Sequence, residues 1–506
     1  MVAFSSSAKK PDAILPAGKL GRMTVEQMYA RFLASDASCN GRFFTGVLTT
    51  SIYCLPSCRA RKPRRENVRF FPNVEAARQA GLRPCRKCHP DDFARGADPV
   101  LAQIETLAAE MRARPGDFTD VKAVVKRSGY GATRLFELFR QHYHATPADF
   151  LLHARLAAAK ERLRHTDDGV ADVAFAVGFD SLSAFHVNFK RLNGLTPAAY
   201  RGLGNTNSFT LKLPAGYPLP YLRRTLGRDP QSVSERLVGD TYTAGVWLDG
   251  FPAVLTLHMD ATCVQAEVEP ASRLPLGSNT ARKVDLHEAH ALVVGLLGLT
   301  QDPAPFVRQA RTLGFVRLVE GRPELRISQT HSVFDGLVWS ILGQQITFGF
   351  ACMLKRRLTE LAGVRVRSDL FAPSRPTSIA ALQEGDLLRI QFSRQKADYL
   401  SNIARLITTG KLDLEALPRM SATGAERTLL AIRGLGPWSV NYILMRSLGF
   451  LDCLPLGDTG VTSGLQALYA LKHRPDRAET LRLLTPFSPY RSLATAHLWQ
   501  LNQPAP

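Results

Sequence analysis

The stretch "LLAIRGLGPWSVNYILMRSLGF", residues 429–450, has the pattern of a helix, a glycine-rich hairpin and a second helix. Its Gly-Leu-Gly turn exposes backbone N–H groups at the start of the second helix, where a DNA phosphate can be bound. We therefore predict that Gly434 and Gly436 contact DNA through the backbone. The sequence on either side of this hairpin supports the same interpretation.

Twenty residues beyond Trp438 lies Asp458, in "LPLGDTGV". This arrangement resembles the helix-hairpin-helix DNA glycosylases, most closely the AlkA-type 3-methyladenine glycosylases, in which the same spacing separates the hairpin tryptophan from the catalytic aspartate. The segments "WSILGQQIT" (339–347) and "FSRQKADYLSNIARL" (392–406) also fit that family, as does a strand-rich segment at 208–285. The resemblance implies that Asp458 stabilises an oxocarbenium-like transition state or positions water while a flipped-out base departs.

The same resemblance predicts the walls of a base pocket. Glycosylases that also cut the DNA backbone carry a lysine in the hairpin, and Trp438 at that position implies a monofunctional enzyme. Trp438, Tyr442 and Tyr490 are candidate pocket walls, since aromatic faces attract cationic alkylated purines. For Tyr442 and Tyr490, packing in an ordinary core is an equally good explanation.

Some positions depart from the family pattern and leave the substrate range open. Gln345 stands where close relatives can have an apolar wedge that fills the gap left by the flipped base. Thr225 replaces an aromatic pocket residue, and Tyr490 stands where a pocket tryptophan is expected. The cysteine spacing of an iron–sulfur glycosylase and the Pro-Cys-His-Arg motif of an O6-methylguanine transferase are both absent from the sequence.

A block upstream, at about 97–202, repeats itself with a period of fifty residues. Each half places a glycine and an aromatic residue before a helix, which is typical of a helix-turn-helix motif. A plain helical bundle is the alternative, but the duplicated register favours two recognition helices. The matching residues are Phe139 and Phe189, Thr146-Pro147 and Thr196-Pro197, and Phe150 and Tyr200.

The stretch "GFDSLSAFHVNFKRLNGLTPAAYR", residues 178–201, resembles the second motif of AraC-type DNA-binding domains. These regulators read DNA with two recognition helices, which correspond here to 132–141 and 182–191. The resemblance gives the fold, and it leaves open which side chains touch bases and which touch phosphates. The candidate contacts are Arg134, Ser181, Ser183, His186, Asn188 and Lys190.

Near the N-terminus, "IYCLPSCRAR" (52–61) and "LRPCRKCHP" (82–90) contain two cysteine pairs. Thiolates with this spacing form a tetrahedral shell for Zn²⁺, and most such sites are purely structural. Cys39 lies outside the pattern. The predicted zinc ligands are Cys54, Cys58, Cys85 and Cys88.

The sequence around these cysteines, "NGRFFTGVLTTSIYCLPSCRARKPRRENVRFF" and "GLRPCRKCHP", closely resembles the N-terminal domain of the Ada protein of the alkylation response. In that family one zinc thiolate accepts the methyl group of a methylphosphotriester in DNA, which implies that Cys54 is the acceptor. Arg59, Arg61 and Arg65 are placed to bring phosphates to the sulfur.

Composition and charge agree with a nucleic-acid partner. The chain has 506 residues, a formal net charge of +20 and a pI near 9.9. Residues 1–96 hold 17 Lys+Arg against 7 Asp+Glu, which is half of the excess. A basic surface kept only for solubility is the alternative. Scattered cysteines and the lack of a signal peptide or a long apolar stretch predict a cytoplasmic protein with no membrane contact.

Together these observations predict an α+β multidomain chain. The expected domains are a small zinc domain (20–96), an all-α AraC-type double helix-turn-helix (97–202), a strand-rich α/β domain (207–285) and an all-α helix-hairpin-helix domain (286–503). The stretch "RGLGNTNS" (201–208) is interpreted as a linker between the second and third of these. The implied function is a methylphosphotriester-sensing transcriptional activator fused to an alkylbase glycosylase. The implied partners are alkylated DNA, promoter DNA and RNA polymerase, and a monomer fits the paired motifs.

Two alternatives stay open at this point. One is a pure regulator, in which the zinc is structural and the glycosylase fold only binds DNA. The other is a pure repair enzyme, whose helix-turn-helix motifs grip DNA without sequence preference. Loss of base release in Asp458→Asn argues against the first, and a promoter-specific footprint argues against the second.

Overall fold

A computed structural model describes residues 23–36, 39–58, 60–94, 96, 98–271, 285–501 and 503. The chain divides into two compact units, one up to Thr106 and one from Leu107 onward. The architecture is α+β, as predicted. In the described ranges, no helix combines the length and the apolar character needed to cross a bilayer.

The first unit is a small sheet with short helices. Strand β2 pairs antiparallel with β1 and parallel with β4, so the sheet order is β3-β1-β2-β4. Apolar side chains such as Phe44, Tyr53 and Phe71 form its core. The elements are α1 (Val25–Leu33), β1 (Phe44–Val47), β2 (Ile52–Cys54), β3 (Val68–Phe71), α2 (Val74–Gln79), β4 (Arg83–Pro84) and α3 (Pro90–Ala94), and α4 (Pro99–Ala113) follows.

The second unit contains the predicted pair of helix-turn-helix motifs. Both expected recognition helices are present, and each extends two residues beyond its predicted end. Thr146 and Thr196 cap equivalent helices through their side chains. The elements are α5 (Val121–Ser128), α6 (Ala132–Tyr143), α7 (Pro147–His165), α8 (Val170–Ala176), α9 (Leu182–Asn193) and α10 (Pro197–Arg201).

The internal repeat is a repeat of packing as well as of sequence. Phe139 meets Phe150 edge to face with ring centroids 5.3 Å apart, and Phe189 meets Tyr200 in the same way at 5.6 Å. All four rings are buried. Each copy of the motif is therefore closed by an aromatic pair at the same register.

The predicted strand-rich segment forms an antiparallel sheet in the order β5-β9-β8-β7-β6. Residues 272–284, at the end of the predicted segment, lie outside the described residues. Helix α11 packs its apolar side chains against the sheet. The elements are β5 (Ser208–Lys212), α11 (Leu219–Leu226), β6 (Glu235–Val238), β7 (Thr241–Leu248), β8 (Phe251–Met259) and β9 (Cys263–Pro270).

The remaining chain is mainly helical, with α15 buried along its whole length. A short hairpin of β10 (Val364–Arg367) and β11 (Leu370–Ala372) interrupts it. The helices are α12 (Leu286–Leu297), α13 (Ala304–Thr312), α14 (Val316–Val319), α15 (Val333–Leu342), α16 (Phe348–Ala362), α17 (Pro376–Ala380), α18 (Glu384–Arg389), α19 (Arg394–Thr408), α20 (Ala422–Leu430), α21 (Pro437–Arg446), α22 (Thr459–Leu468), α23 (Arg477–Leu484) and α24 (Arg491–Leu501).

The joint "RGLGNTNS" (201–208), which we interpreted as a linker, is tightly structured. Gly202–Asn205 form a 3₁₀ turn that leads directly into β5. A single apolar cluster runs from Phe189 through Phe209 into Leu255 of the sheet. The second helix-turn-helix motif and the sheet therefore share one core.

Candidate functional site

Strand pairing brings the four predicted zinc ligands together. Cys54 ends β2, Cys85 follows β4, and the parallel register Tyr53↔Pro84 sets these two cysteines side by side. Cys58 and Cys88 lie in the turns that follow. The four sulfurs all lie within 4.8 Å of one another. Cys39 is buried elsewhere in the unit, as its spacing suggested.

The donor chemistry of this cluster fits Zn²⁺, which takes four thiolates at about 2.3 Å in tetrahedral geometry. The N–H of Leu55 donates to Cys88 Sγ at 3.3 Å, and that of Lys87 to Cys85 Sγ at 3.4 Å. Hydrogen bonding from Cys54 lowers the pKa of Cys58 to about 7. Such N–H donors stabilise thiolates, so the cluster is a zinc site.

The basic residues that follow Cys58 in the sequence differ in whether other residues hold their side chains in place. Arg65 donates to the Val68 carbonyl at 3.3 Å and lies over Tyr29, whereas Arg61 is exposed. Lys62, which the sequence analysis did not single out, donates to the Cys58 carbonyl at 2.6 Å. Arg59 lies outside the described residues. Arg61 is thus a solvent-facing cation three residues after Cys58.

The predicted DNA contacts on α9 differ in how exposed their side chains are to solvent. Ser183 and Lys190 are exposed, and His186 is half-buried beside Phe185. The Asn188 amide donates to the Ala184 carbonyl at 2.9 Å, so part of its hydrogen-bonding capacity is used within the helix. Ser181 caps the helix by accepting from the Ala184 N–H at 3.3 Å.

Helix α6, the other predicted recognition helix, packs on the C-terminal helices. Its Arg140 donates to the Tyr490 hydroxyl at 3.1 Å, and His142 bonds Thr423 at 2.9 Å. Arg134, the predicted DNA contact here, is exposed and pairs with Glu137 at 3.1 Å. The structure thus places the Tyr490 hydroxyl against α6, and the role of Tyr490 as a pocket wall stays a prediction.

The glycine-rich hairpin joins α20 to α21 as predicted. Gly434 has a φ of +101°, which favours glycine, and a Cβ there would meet the Tyr399 ring at 2.4 Å. Gly436 caps α21 and has open space around it. Gly434 therefore shapes the turn, while the backbone at Gly436 is accessible to a phosphate.

Asp458 caps α22 and is held by three N–H donors. Its Oδ1 accepts from the Val461 N–H at 2.9 Å and from Trp499 Nε1 at 3.0 Å. Its Oδ2 accepts from Trp438 Nε1 at 3.2 Å. Tyr442 stacks on Trp438 with ring centroids 5.6 Å apart. The result is a fixed carboxylate beside aromatic rings, which suits stabilisation of developing positive charge.

Trp499 is the functional residue that the sequence analysis missed. It lies 41 residues beyond Asp458, near the end of α24. An indole in "HLWQL" was the available signal, but nothing in the sequence shows that α24 packs against α22. Trp499 is therefore a second aromatic residue that donates to the carboxylate, alongside Trp438.

Gln345 lies exposed at the tip of a loop between α15 and α16, with a φ of +58°. The loop is fixed to the glycine-rich hairpin, because Gln344 donates to the Gly434 carbonyl at 2.9 Å. Lys396 donates to the carbonyls of Ile341 and Gln344 at 2.7 and 2.8 Å. Burial lowers the pKa of Lys396 to about 8. Gln345 is therefore presented next to the hairpin on a rigid support.

A cavity of about 630 Å³ opens elsewhere in the second unit, between Trp247, Lys355 and Arg375. Asp458 and the aromatic residues around it do not line this cavity. Two smaller cavities lie in the same unit, Thr225 lines both of them, and one of them reaches Trp499. The Thr225 hydroxyl donates to the Tyr221 carbonyl at 3.0 Å, so a small polar residue occupies this position.

Family comparisons match three separate parts of the chain. Residues 27–91 match the metal binding domain of Ada, and residues 124–202 match a helix-turn-helix domain. Residues 338–489 match the HhH-GPD superfamily of base excision DNA repair proteins. These ranges coincide with the zinc cluster, the duplicated motifs and the hairpin with Asp458.

Individual relatives cover the whole chain or its halves. Over 495 residues the chain is 27% identical to a probable bifunctional transcriptional activator/DNA repair enzyme AlkA of Mycobacterium tuberculosis, covering 94% of this chain and 96% of the relative. A DNA-3-methyladenine glycosylase of Bacillus subtilis is 33% identical over 40% of this chain and 68% of its own length. The bifunctional transcriptional activator/DNA repair enzyme AdaA of the same organism is 30% identical over 35% of this chain and 83% of its own length.

Among solved structures, a 3-methyladenine DNA glycosylase from Archaeoglobus fulgidus superimposes with a TM-score of 0.50 at 19% identity. The match covers 58% of this chain and 97% of that structure. At this identity the likeness establishes the fold.

Proposed function

Because this chain belongs to the Ada/AlkA family of bifunctional transcriptional activators and DNA repair enzymes, we propose that it senses one alkylation lesion in DNA and excises another. The sensing reaction is methyl transfer from a methylphosphotriester to Cys54. The excision reaction is hydrolysis of the N-glycosyl bond of alkylated purines of the 3-methyladenine type. The observation that carries the proposal is the Asp458 carboxylate, held by Trp438 and Trp499 beside the hairpin.

The choice of Cys54 as methyl acceptor is supported by its hydrogen bonding. Cys85 and Cys88 accept backbone N–H groups, and Ala60 donates to Cys58. Within the described residues, Cys54 Sγ receives no such donor. A thiolate that no backbone N–H stabilises keeps more electron density for attack, which supports Cys54 as the strongest nucleophile of the four. Bound zinc keeps the sulfurs ionised at neutral pH.

The transfer step balances without a further reactant. The Cys54 sulfur attacks the methyl carbon in line, an S–C bond forms, and the C–O bond to the phosphotriester breaks. The electron pair leaves on oxygen as a phosphodiester anion, which Arg61 is placed to attract. The thioether product does not revert, so each chain reacts once.

Methylation changes the charge of the cluster, which suggests how sensing controls transcription. Four thiolates on Zn²⁺ carry about −2, and one thioether reduces this to about −1 by the same counting. Repulsion of DNA phosphates falls accordingly. The adjoining helix-turn-helix pair then holds promoter DNA more tightly, with Ser183 and Lys190 on the exposed face of α9. Activation further implies contact with RNA polymerase.

For excision, the flipped nucleotide enters beside Trp438 and Tyr442, and Gln345 on its rigid loop occupies the space that the nucleotide leaves in the duplex. The Asp458 carboxylate faces the sugar as the base departs and stabilises the oxocarbenium-like transition state. Trp438 stands where an amine would be needed to cut the DNA backbone. The glycosylase is therefore monofunctional. The fixed geometry of Asp458 favours this over a catalytically silent DNA-binding domain.

Both reactions can be tested on one substrate, duplex DNA methylated with a radiolabelled methyl group. We expect wild type to release 3-methyladenine and to acquire label on the protein. Asp458→Asn should abolish release and keep labelling, and Cys54→Ala should do the reverse. Cys39→Ala, a thiol of the same unit outside the cluster, is the matched control and should keep both. Wild type that releases no base would contradict the repair half, and label on Cys54→Ala would contradict the assigned acceptor.

A further inference from the structure

Helix α9, the second predicted recognition helix, has one side fixed in the core and the opposite side in solvent. Phe185 and Phe189 are fully buried, and their ring centroids lie 5.5 Å apart. The end of the helix is also fixed, because His290 donates to the Asn193 carbonyl at 2.8 Å. These contacts determine which side chains face solvent. By the helical period of 3.6 residues, the exposed residues opposite the buried rings are Ser183, Ala184, Val187, Lys190 and Arg191.

Val187 lies at the centre of this exposed face, four residues after Ser183 and three before Lys190. Its side chain is 62% exposed, and among the large apolar side chains of the described residues only Val238 is more exposed. Single exposed valines are common on protein surfaces, so the position has to decide what this one does. A β-branched residue is a poorer helix former than alanine, and an exposed one adds nothing to the core. Val187 therefore stabilises neither α9 nor its packing, which points to a contact with a partner.

The rest of the exposed face fits a DNA duplex. Its N-terminal half carries the short side chains Ser183 and Ala184, which allow the helix to approach base edges closely. Its last turn carries two cations, Lys190 and Arg191, which suit phosphates. Helix α9 contains no carboxylate that would repel the DNA backbone. Charge and shape thus favour nucleic acid as the partner of this face.

The polar side chains next to Val187 are engaged within the helix. The Asn188 amide donates to the Ala184 carbonyl at 2.9 Å, and its oxygen accepts from Arg191 at 3.2 Å. His186 is half-buried beside Phe185. An apolar side chain is therefore the most outward group at the middle of the helix. In the major groove, the group that an apolar side chain recognises is the 5-methyl group of thymine.

We propose that Val187 reads a thymine in the promoter site by packing against its 5-methyl group. This inference rests on the proposed sequence-specific DNA binding and deepens it, because it assigns one base to one side chain. The contact removes apolar surface of both partners from water. Adenine, guanine and cytosine offer no methyl group in the groove, so the contact discriminates against them.

The first recognition helix presents different chemistry at the equivalent positions. In the fifty-residue repeat, Glu137 is the counterpart of Val187, and it pairs with Arg134 at 3.1 Å. Arg140, the counterpart of Lys190, donates to the Tyr490 hydroxyl at 3.1 Å. Of the two helices, α9 alone carries an apolar side chain at this position. The thymine that Val187 reads therefore belongs to one half of the promoter site.

Replacement of thymine by uracil tests the contact, because it removes only the methyl group from the DNA. Selection from random duplexes gives the recognised site, with full-length protein used both before and after reaction with methylated DNA. Each thymine of that site is then replaced in turn, and the Kd is measured at fixed salt with excess non-specific DNA. We expect one replacement to weaken binding by wild type about fourfold. The same replacement should leave binding by Val187→Ala unchanged, whereas Val187→Ile should keep the dependence on the methyl group.

Val238→Ala is the matched control, since Val238 is a 66% exposed valine on β6, outside the helix-turn-helix motifs. It should bind every duplex as wild type does. Alanine is the better helix former, so Val187→Ala should remain folded.

The outcomes separate this contact from the regulatory function on which it rests. A selected site in which no uracil replacement matters, or in which Val187→Ala keeps the wild-type dependence, would overturn the reading by Val187 and leave sequence-specific binding intact. A dependence that is lost in Leu182→Ala instead would assign the contact to the first residue of α9 and would also overturn the proposal. A selection that enriches no sequence would contradict both the regulatory function and the reading.

Discussion

At the scale of single residues, some side chains around Asp458 were predicted from the sequence and others were not. The spacing from Trp438 to Asp458 drew attention to two side chains that do meet, since Trp438 Nε1 donates to Asp458 Oδ2 at 3.2 Å, and the catalytic role of Asp458 stays a prediction. Trp499 was not predicted, because its position depends on how α24 packs against α22. Tyr490 was predicted to line the pocket, which stays a prediction, and its hydroxyl accepts a hydrogen bond from Arg140.

The role of Trp499 can be measured through its single hydrogen bond. Trp499→Phe keeps an aromatic ring but removes the N–H that donates to Asp458 Oδ1 at 3.0 Å. Because a hydrogen bond to a charged group contributes about 1.5–3 kcal/mol, we expect the single-turnover rate of 3-methyladenine release to fall at least tenfold. Labelling of Cys54 by methylated DNA should be unchanged. A release rate equal to wild type would mean that the Val461 N–H and Trp438 alone fix the carboxylate.

At the scale of elements, local signals were reliable. The fifty-residue repeat predicted helices at 132–141 and 182–191, and both are present, because the aromatic pair that closes each motif comes from residues close together in the sequence. The parallel pairing of β2 with β4 was not predicted, although the cysteine spacing identified the site that it builds. Spacing shows which sulfurs meet, whereas strand pairing depends on contacts thirty residues apart.

The hairpin gives a second prediction, in which two glycines are compared. Gly434→Ala introduces a Cβ at a φ of +101° and 2.4 Å from Tyr399, so we expect a loss of unfolding free energy of about 1–3 kcal/mol. Gly436→Ala meets open space and should leave stability nearly unchanged.

If the Gly436 backbone approaches a phosphate, the Gly436→Ala variant should weaken binding of undamaged duplex DNA. Denaturant melts and anisotropy titrations measure the two effects, and equal stability losses would contradict the assigned division of roles.

At the scale of the whole second unit, the predicted blocks are joined more closely than their sequences indicated. We expected a linker at 201–208, but apolar side chains on both sides of it share one core. His290 of α12 donates from Nε2 to the Asn193 carbonyl at the end of α9, at 2.8 Å. Isolated residues of this kind carry no periodic signal, so interdomain packing was not visible in the sequence. The regulatory and repair parts of this unit therefore unfold as coupled elements.

His290 makes this coupling dependent on pH. The side chain is 1% exposed, its Nδ1 has no hydrogen-bond partner among the described residues, and burial lowers its pKa from 6.5 to about 3. The unfolded chain therefore binds a proton below pH 6.5 that the folded chain does not bind until about pH 3. Its neutral state thus contributes stability above pH 6.5 that is progressively lost as the pH falls toward 3, by roughly 2 kcal/mol between pH 7 and pH 5.

The matched variant is His290→Gln, which retains an N–H donor for the Asn193 carbonyl but does not titrate. We expect the unfolding free energy of wild type to fall by roughly 2 kcal/mol more than that of the variant between pH 7 and pH 5. Urea melts of the full chain at the two pH values measure this double difference. His497, whose pKa burial lowers to about 3, contributes equally to both proteins and cancels. If the unfolding free energies of the two proteins change equally between pH 7 and pH 5, His290 takes up a proton in the folded protein over this range. That result would contradict the prediction that burial keeps His290 neutral at pH 5.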